Sequence, residues 1–398
     1  MTEISAPAPV VFGIGCFSLE APSADLLLMA NPKGTYSVHD WAADVERFLA
    51  AFPSIDEIRV EGFHSVRGDH RSTWRDATVE AIKSIEHDGM HRGGDLRPHP
   101  TDGRVSFVIT IPARTQVGVM YAAEGRSGTR FDVDIFFTWG MPVAFVRTYA
   151  DVDDPSLAVA IVREFMRKEA PLRAQEDNPI RFVAMGPSPM WSNFALLPGG
   201  DDQDEEISFE RVESPGYSWG IFRAKQSQAM PGRNEAYSVL KARLSEAASA
   251  YYEFVSQGQV LGYTRRFIEA ELEDLVESNR ANGLSGWWKR LRGGGQKAND
   301  LMLEILAAQL TQRRAATSNA ETWEGITDPI GRAAFDEHVM RELESSHSDY
   351  VDNAREVVDL LNSRYGRDIE IVFVVLASVL GGVVGAVVTA LAGLAAGS

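Results

Sequence analysis

From Ile371 to Ala396 the chain runs 26 residues without a charge, and only Ser378 and Thr389 among them are polar. Nothing else in the sequence limits its folding as strongly. As a helix this run would rise about 39 Å, more than the roughly 30 Å of a bilayer's hydrocarbon core. A core helix of that length normally keeps a polar face, and this one has none. The expectation is a single transmembrane helix at 370–398, with the lipid bilayer as partner. Arg355, Arg364 and Arg367 precede it and no basic residue follows. The positive-inside rule then puts the N-terminal part in the cytoplasm, the neighbouring acidic residues counting for little. With so little chain beyond the span, the expected topology is a C-terminal single-pass tail anchor.

The span is patterned. Ala377, Gly381 and Gly385 fall four apart, and Gly393 and Gly397 add a second pair. Small residues at that spacing let helix backbones approach closely in lipid. Ala377, Gly381, Gly385 and Gly393 are therefore the expected packing face of a homo-oligomer.

The rest of the chain is ordinary in hydrophobic content, at 44 %, and strongly acidic, with a net charge of −17. That charge argues against non-specific nucleic-acid binding. The stretch "GGDDQDEE" at 199–206 reads as an exposed loop, suited to a basic cytoplasmic protein partner. A single cysteine, Cys16, excludes an intramolecular disulfide. The N-terminus carries no signal-peptide pattern.

Periodicity gives an α+β fold: an N-terminal mixed body with an antiparallel meander, then a helical segment and the membrane helix. The expected division is 1–228 for the α+β domain, 229–327 for a helical domain, 328–369 for an amphipathic stalk and 370–398 for the anchor. "VVFGIGCF" and "IDEIRVEGF" read as strands. Between them Trp41, Val45, Phe48, Leu49 and Phe52 recur at helical spacing. "RVSFVITIPA", "QVGVMYAA", "FDVDIFFTW" and "PVAFVRTYA" read as four successive strands. "DPSLAVAIVREFMRKEA" reads as a helix capped by Asp154, and "IRFVAMG" and "YSWGIFRA" as further strands. Beyond residue 230, Tyr237, Leu240, Leu244, Ala247, Tyr251 and Phe254 mark one helix, and Phe267, Ile268, Leu272 and Leu275 a second. A third covers "NDLMLEILAAQLTQ". Leu343, His347, Tyr350, Ala354, Val357 and Leu361 keep a 4-3-4-3-4 spacing, the seam expected of the stalk.

Three clusters are candidates for chemistry or contact. His87 and His91 are four apart on an expected helix, with Asp88 and Asp95 close by, so both could face one metal. No HExxH or CxxC accompanies them. Asp132 and Asp134 alternate on a strand, which puts both carboxylates on one face, where they could hold a divalent ion for phosphoryl transfer. The stretch "EGRSGTRFDVDIFF" resembles the nucleotidyltransferase signature, a Gly-Ser loop followed by Asp-x-Asp. It departs from that signature in that Gly125 and Ser127 are not adjacent and the gap to Asp132 is short. Alternation alone also predicts a solvated polar face here. Trp287 and Trp288 beside Lys289, Arg290 and Arg292 suit a membrane interface. No Walker A, G-x-G-x-x-G or G-x-S-x-G motif is present, and no cofactor is implied.

The function expected from these features is a tail-anchored membrane protein. Its cytoplasmic domain binds or senses a ligand or partner, and its glycine-patterned span self-associates, a pore-forming or membrane-perturbing effector being one concrete form. The alternatives are a membrane-anchored metal-dependent phosphoryl-transfer or hydrolytic enzyme, and a membrane scaffold.

Overall fold

The structure, a computed structural model, describes residues 9–20, 38–62, 103–120, 128–138, 141–149, 155–173, 178–185, 192–199, 205–213, 218–225, 232–280, 295–345 and 353–360. It shows a mixed α+β fold built on one nine-stranded sheet. The strands are β1 (Val10–Glu20), β2 (Ile55–Glu61), β3 (Gly103–Thr110), β4 (Arg130–Phe137), β5 (Val143–Thr148), β6 (Arg181–Met185), β7 (Ser192–Pro198), β8 (Ile207–Val212) and β9 (Ser218–Ala224). They lie in the order β2-β3-β4-β5-β1-β7-β9-β8, with β6 also paired to β1. The β7–β9 pairing is parallel and the others are antiparallel.

The central strand shows why the sheet carries a core on each side. In β1, side chains alternate faces. Phe12, Ile14 and Cys16 enter one hydrophobic cluster, and Phe17 and Leu19 enter the other. The second cluster is closed by α1 (Val38–Ala50) and α3 (Pro155–Arg173). Trp41, Val45, Phe48, Leu49 and Phe52 are all buried there, as their spacing requires. On that face, where Phe17 takes its turn further along, Gly13 and Gly15 stand where α3 comes closest. A Cβ at Gly15 would lie 2.3 Å from Val159 Cγ1, and one at Gly13 would lie 2.8 Å from the Pro155 carbonyl oxygen. The start of α3 is held by Asn193, whose side-chain oxygen accepts from the Ser156 amide at 3.0 Å.

The first cluster is closed by α4 (Arg233–Arg280), the end of α5 (Gly295–Gly325) and α6 (Pro329–Ser345). Tyr237, Leu240, Leu244, Ala247, Tyr251 and Phe254 are buried, the same stripe the spacing picks out. At α6 Asp328 is the N-cap and Pro329 the first helical residue. The Asp328 carboxylate accepts from the Ile330 and Gly331 amides at 2.9 and 3.1 Å.

By its contacts the chain divides into two units. One comprises Met1–Gly258 with Ser318–Glu344, the other Gln259–Thr317 with Ser345–Ser398. The described core of the second unit is Ile268, Leu275, Ala298, Leu301, Ile305, Ala308, Ala354 and Val358.

Several expectations are corrected. "QVGVMYAA" is not a strand: α2 (Ala113–Met120) is helical there. β3 pairs with β4 along its whole length, so the sheet has no place for a strand between them. The Pro112 carbonyl accepts from the Thr115 and Gln116 amides, which starts the helix. The Gln116 side chain fixes it by donating to the Ile111 and Gly128 carbonyls at 2.8 and 2.6 Å. The two helices expected from 237 to 275 are one helix of 48 residues. No Pro interrupts it, and Gly258 and Gly262 are tolerated inside it. The polar stretch after 312 belongs to α5, which runs on to Gly325. Strands β7 and β8 have no counterpart among the expected strands.

Of the stalk seam, Leu343 is packed against the first unit's core, whereas Ala354 is buried in the second unit's core. Val357 is 37 % exposed and its neighbour Val358 takes the buried position. His347, Tyr350 and Leu361 lie outside the described residues. Among the described residues no helix is long and apolar enough to cross a membrane. The segment 370–398, with Ala377, Gly381, Gly385 and Gly393, lies outside them.

Candidate functional site

The face of β2 to β5 opposite α1 and α3 is polar, and α4 covers one side of it. Register places its side chains in rows. Arg59 pairs with Ser106 and Ser106 with Asp134, while Val108, Asp132 and Arg147 stand opposite one another one step along. The start of α4 brings Asn234, Tyr237, Ser238 and Lys241 over these rows. Together they line a cleft of about 250 Å³.

A buried ion pair anchors it. Lys241 of α4, 4 % exposed, binds Asp134 of β4, 8 % exposed. The Ser106 hydroxyl also donates to Asp134, at 2.6 Å, and Arg104 lies 3.8 Å from it. Burial pushes the Lys241 ammonium below its ordinary value, and the Asp134 carboxylate pulls it back up. Such a pair gains little net stability over an apolar one, because both charges lose their water.

Beside it Asp132 accepts from the Tyr149 hydroxyl at 2.6 Å. Burial raises the Asp132 carboxyl above its usual range, and the Tyr149 hydrogen bond and the Arg147 guanidinium oppose the rise. Partial burial and the Asp132 carboxylate push the Tyr149 phenol up to about 12. The Tyr149 ring carries the Arg130 and Arg147 guanidiniums at 5.5 and 5.2 Å. The Tyr237 ring carries Arg147 at 5.7 Å and Lys241 at 4.5 Å. Cations and aromatic rings thus alternate from Arg130 to Lys241.

The rim holds the one left-handed non-glycine backbone among the described residues. Glu57 has a φ of 54°, at the bulge in β2 between Asp56 and Arg59. Its carboxylate accepts from Arg130 at 3.0 Å. A bulge of this kind re-aims side chains, and strained backbone of this kind clusters at functional sites.

The structure brings Asp132 and Asp134 to one face, as their alternation requires, but not as a free carboxylate pair. Asp134 is paired with the Lys241 ammonium, and Asp132 is hydrogen-bonded by the Tyr149 hydroxyl. A divalent ion bridging them would sit beside an ammonium group. Among the described residues no three His, Cys, Asp or Glu side chains converge as metal ligands. His87 and His91 lie outside the described residues, as do Trp287, Trp288, Lys289, Arg290 and Arg292.

Sequence reasoning passed over Arg59, Arg104, Ser106, Arg147, Tyr149, Lys241 and Asn234. One signal was available. Lys241 occupies the i+4 slot after Tyr237 in an apolar stripe, where a lysine needs a buried partner. Arg147 and Tyr149 continue the alternation of Val143 and Phe145, so they mark where the face of β5 turns from core to cleft. Comparison with protein-family models, with curated proteins and with solved structures finds no match to this chain.

Proposed function

We propose that this protein binds a small polar ligand in the β2–β5 cleft and does so at a membrane, held there by the uncharged 371–396 segment. The observation that carries the binding half is the buried Lys241–Asp134 pair set among guanidiniums, carboxylates and tyrosines in an accessible cleft. A buried ion pair gains little net stability, which leaves room for a role in binding. The membrane half rests on the sequence: the length of the uncharged run and the arginines before it. In this reading the larger part of the chain lies in the cytoplasm. Ala377, Gly381, Gly385 and Gly393 form the contact face of a homo-oligomer, and ligand state is passed on by assembly in the bilayer. A pore-forming or membrane-perturbing effector is the concrete form of that output.

Flotation on lipid vesicles tests the membrane half. The full chain is expected to float and to resist alkaline extraction, and a chain ending at Glu370 is expected to stay in the soluble fraction. Equal partitioning of the two ends this half of the proposal. In detergent, a double Gly381→Leu, Gly385→Leu variant is expected to shift the oligomer toward monomer.

A further inference from the structure

Donors and acceptors in the cleft are unevenly matched. Each carboxylate facing it already has a donor: Glu57 takes Arg130, Asp132 takes Tyr149, and Asp134 takes Lys241 and Ser106. The donors are not all met. Arg59, exposed on β2, has no hydrogen bond or ion pair among the described residues. Arg147 donates to the Asn234 side-chain oxygen at 3.1 Å but forms no ion pair among the described residues. Tyr237 is 4 % exposed, and its hydroxyl is buried without a hydrogen-bond partner among the described residues.

Within the cleft the Tyr237 hydroxyl therefore lacks an acceptor, and the two guanidiniums lining the same cleft favour a charged one. Native buried polar atoms are nearly always paired, by protein, water or ligand. Hydrogen bonds from guanidinium to an anion are the strong kind. The geometry also bears on the shape of that anion. Arg59 stands on β2 and Arg147 on β5, three strand spacings apart, or about 14 Å across the strands, and two residues apart along them. All three line the same cleft, Arg59 from β2, Arg147 from β5 and Tyr237 from α4. A carboxylate presents two oxygens in one plane and suits a single guanidinium fork. A tetrahedral phosphoryl group presents three oxygens in different directions and carries nearly two charges at neutral pH.

We infer that the cleft takes a phosphate monoester, its terminal oxygens bound by Arg147, Arg59 and the Tyr237 hydroxyl. This rests on reading the cleft as the binding site. The carboxylates are already engaged: Asp134 by Lys241 and Ser106, and Asp132 by the Tyr149 hydroxyl. The same phosphoryl group could arrive on a soluble metabolite or on a lipid headgroup.

The full chain in detergent is titrated calorimetrically with glycerol 2-phosphate, inorganic phosphate, acetate and methylguanidinium. The expected result is saturable binding of glycerol 2-phosphate, at least tenfold tighter than acetate. Arg147→Gln and Tyr237→Phe should each weaken it about tenfold with an unchanged circular dichroism spectrum. Tyr237→Phe keeps the ring in the core and remains informative should an arginine variant fold poorly. Reconstitution in neutral vesicles, with or without phosphatidic acid, separates the two sources. Competition by phosphatidic acid marks a headgroup, undisturbed binding marks a soluble ester, and both support the phosphoryl site. Equal binding of acetate and glycerol 2-phosphate overturns the inference. Binding of methylguanidinium alone, abolished by Asp132→Asn, overturns it while leaving the cleft a binding site. Absence of binding by every probe overturns both.

Discussion

Lys241 is the residue on which the cleft most depends. It is a lysine in an apolar helix stripe, where burial disfavours its charge and the Asp134 carboxylate opposes that effect. Removing one partner leaves a buried charge uncompensated, at a cost of about 3–5 kcal/mol, whereas replacing both with apolar groups is often neutral. Lys241→Met is therefore expected to lower the unfolding free energy, measured by denaturant titration, by that amount, and Lys241→Met with Asp134→Leu to recover most of it. A double variant no more stable than the single would show that the cost lies in lost packing of the lysine stem. The sequence made half of this readable. Asp132 and Asp134 were visible as a pair on one strand face, but their partners Lys241 and Tyr149 lie 107 and 17 residues away. No local pattern connects residues so far apart, so a carboxylate pair that could have held a metal was indistinguishable from one already engaged by other side chains.

At the level of elements, β1 and α3 approach closely, and two glycines allow it. Gly15→Ala would put a methyl group 2.3 Å from Val159 Cγ1, and valine has little rotamer freedom in a helix. The expected loss is about 1–3 kcal/mol, with partial recovery in Gly15→Ala, Val159→Ala. Gly13→Ala meets the Pro155 backbone as well, so trimming Val159 should not rescue it. Thermal unfolding of the four variants measures this. In sequence "GIG" does not continue into G-x-G-x-x-G, and nothing local gives it another meaning. Its meaning is packing, and the helix that gives it that meaning begins 140 residues later. Elements whose own side chains set their period were legible: α1, β4 and the start of α4 match their spacing. α2 was not, because the alternation in "QVGVM" matters less than whether the sheet leaves an open edge to receive a strand, and β3 and β4 close that edge between themselves.

For the whole molecule, the net charge of −17 is the governing quantity. Like charges repel in the compact state, and at low salt that repulsion acts over about 30 Å, against about 8 Å at physiological ionic strength. The melting temperature is expected to rise when salt goes from 10 to 150 mM, since exposed ion pairs such as Arg130–Glu57 and Arg223–Glu210 are worth little and lose little by screening. A fall would mean that surface ion pairs outweigh the repulsion.

By itself the sequence determined the class of this protein: an acidic α+β chain, its amphipathic helices, the faces of its half-buried strands, and a 26-residue uncharged run that sets the terms of any membrane role. These follow from local periodicity and composition, which act within a few turns or a few strand residues. The tertiary structure alone decided that β7 lies parallel to β9, that α4 continues unbroken, and that Arg59, Arg147, Tyr237 and Lys241 meet Asp132 and Asp134 in one cleft. Those outcomes depend on strand order and register between segments that are far apart in the chain. One residue's slip in register would turn the charged face of β4 into its apolar one.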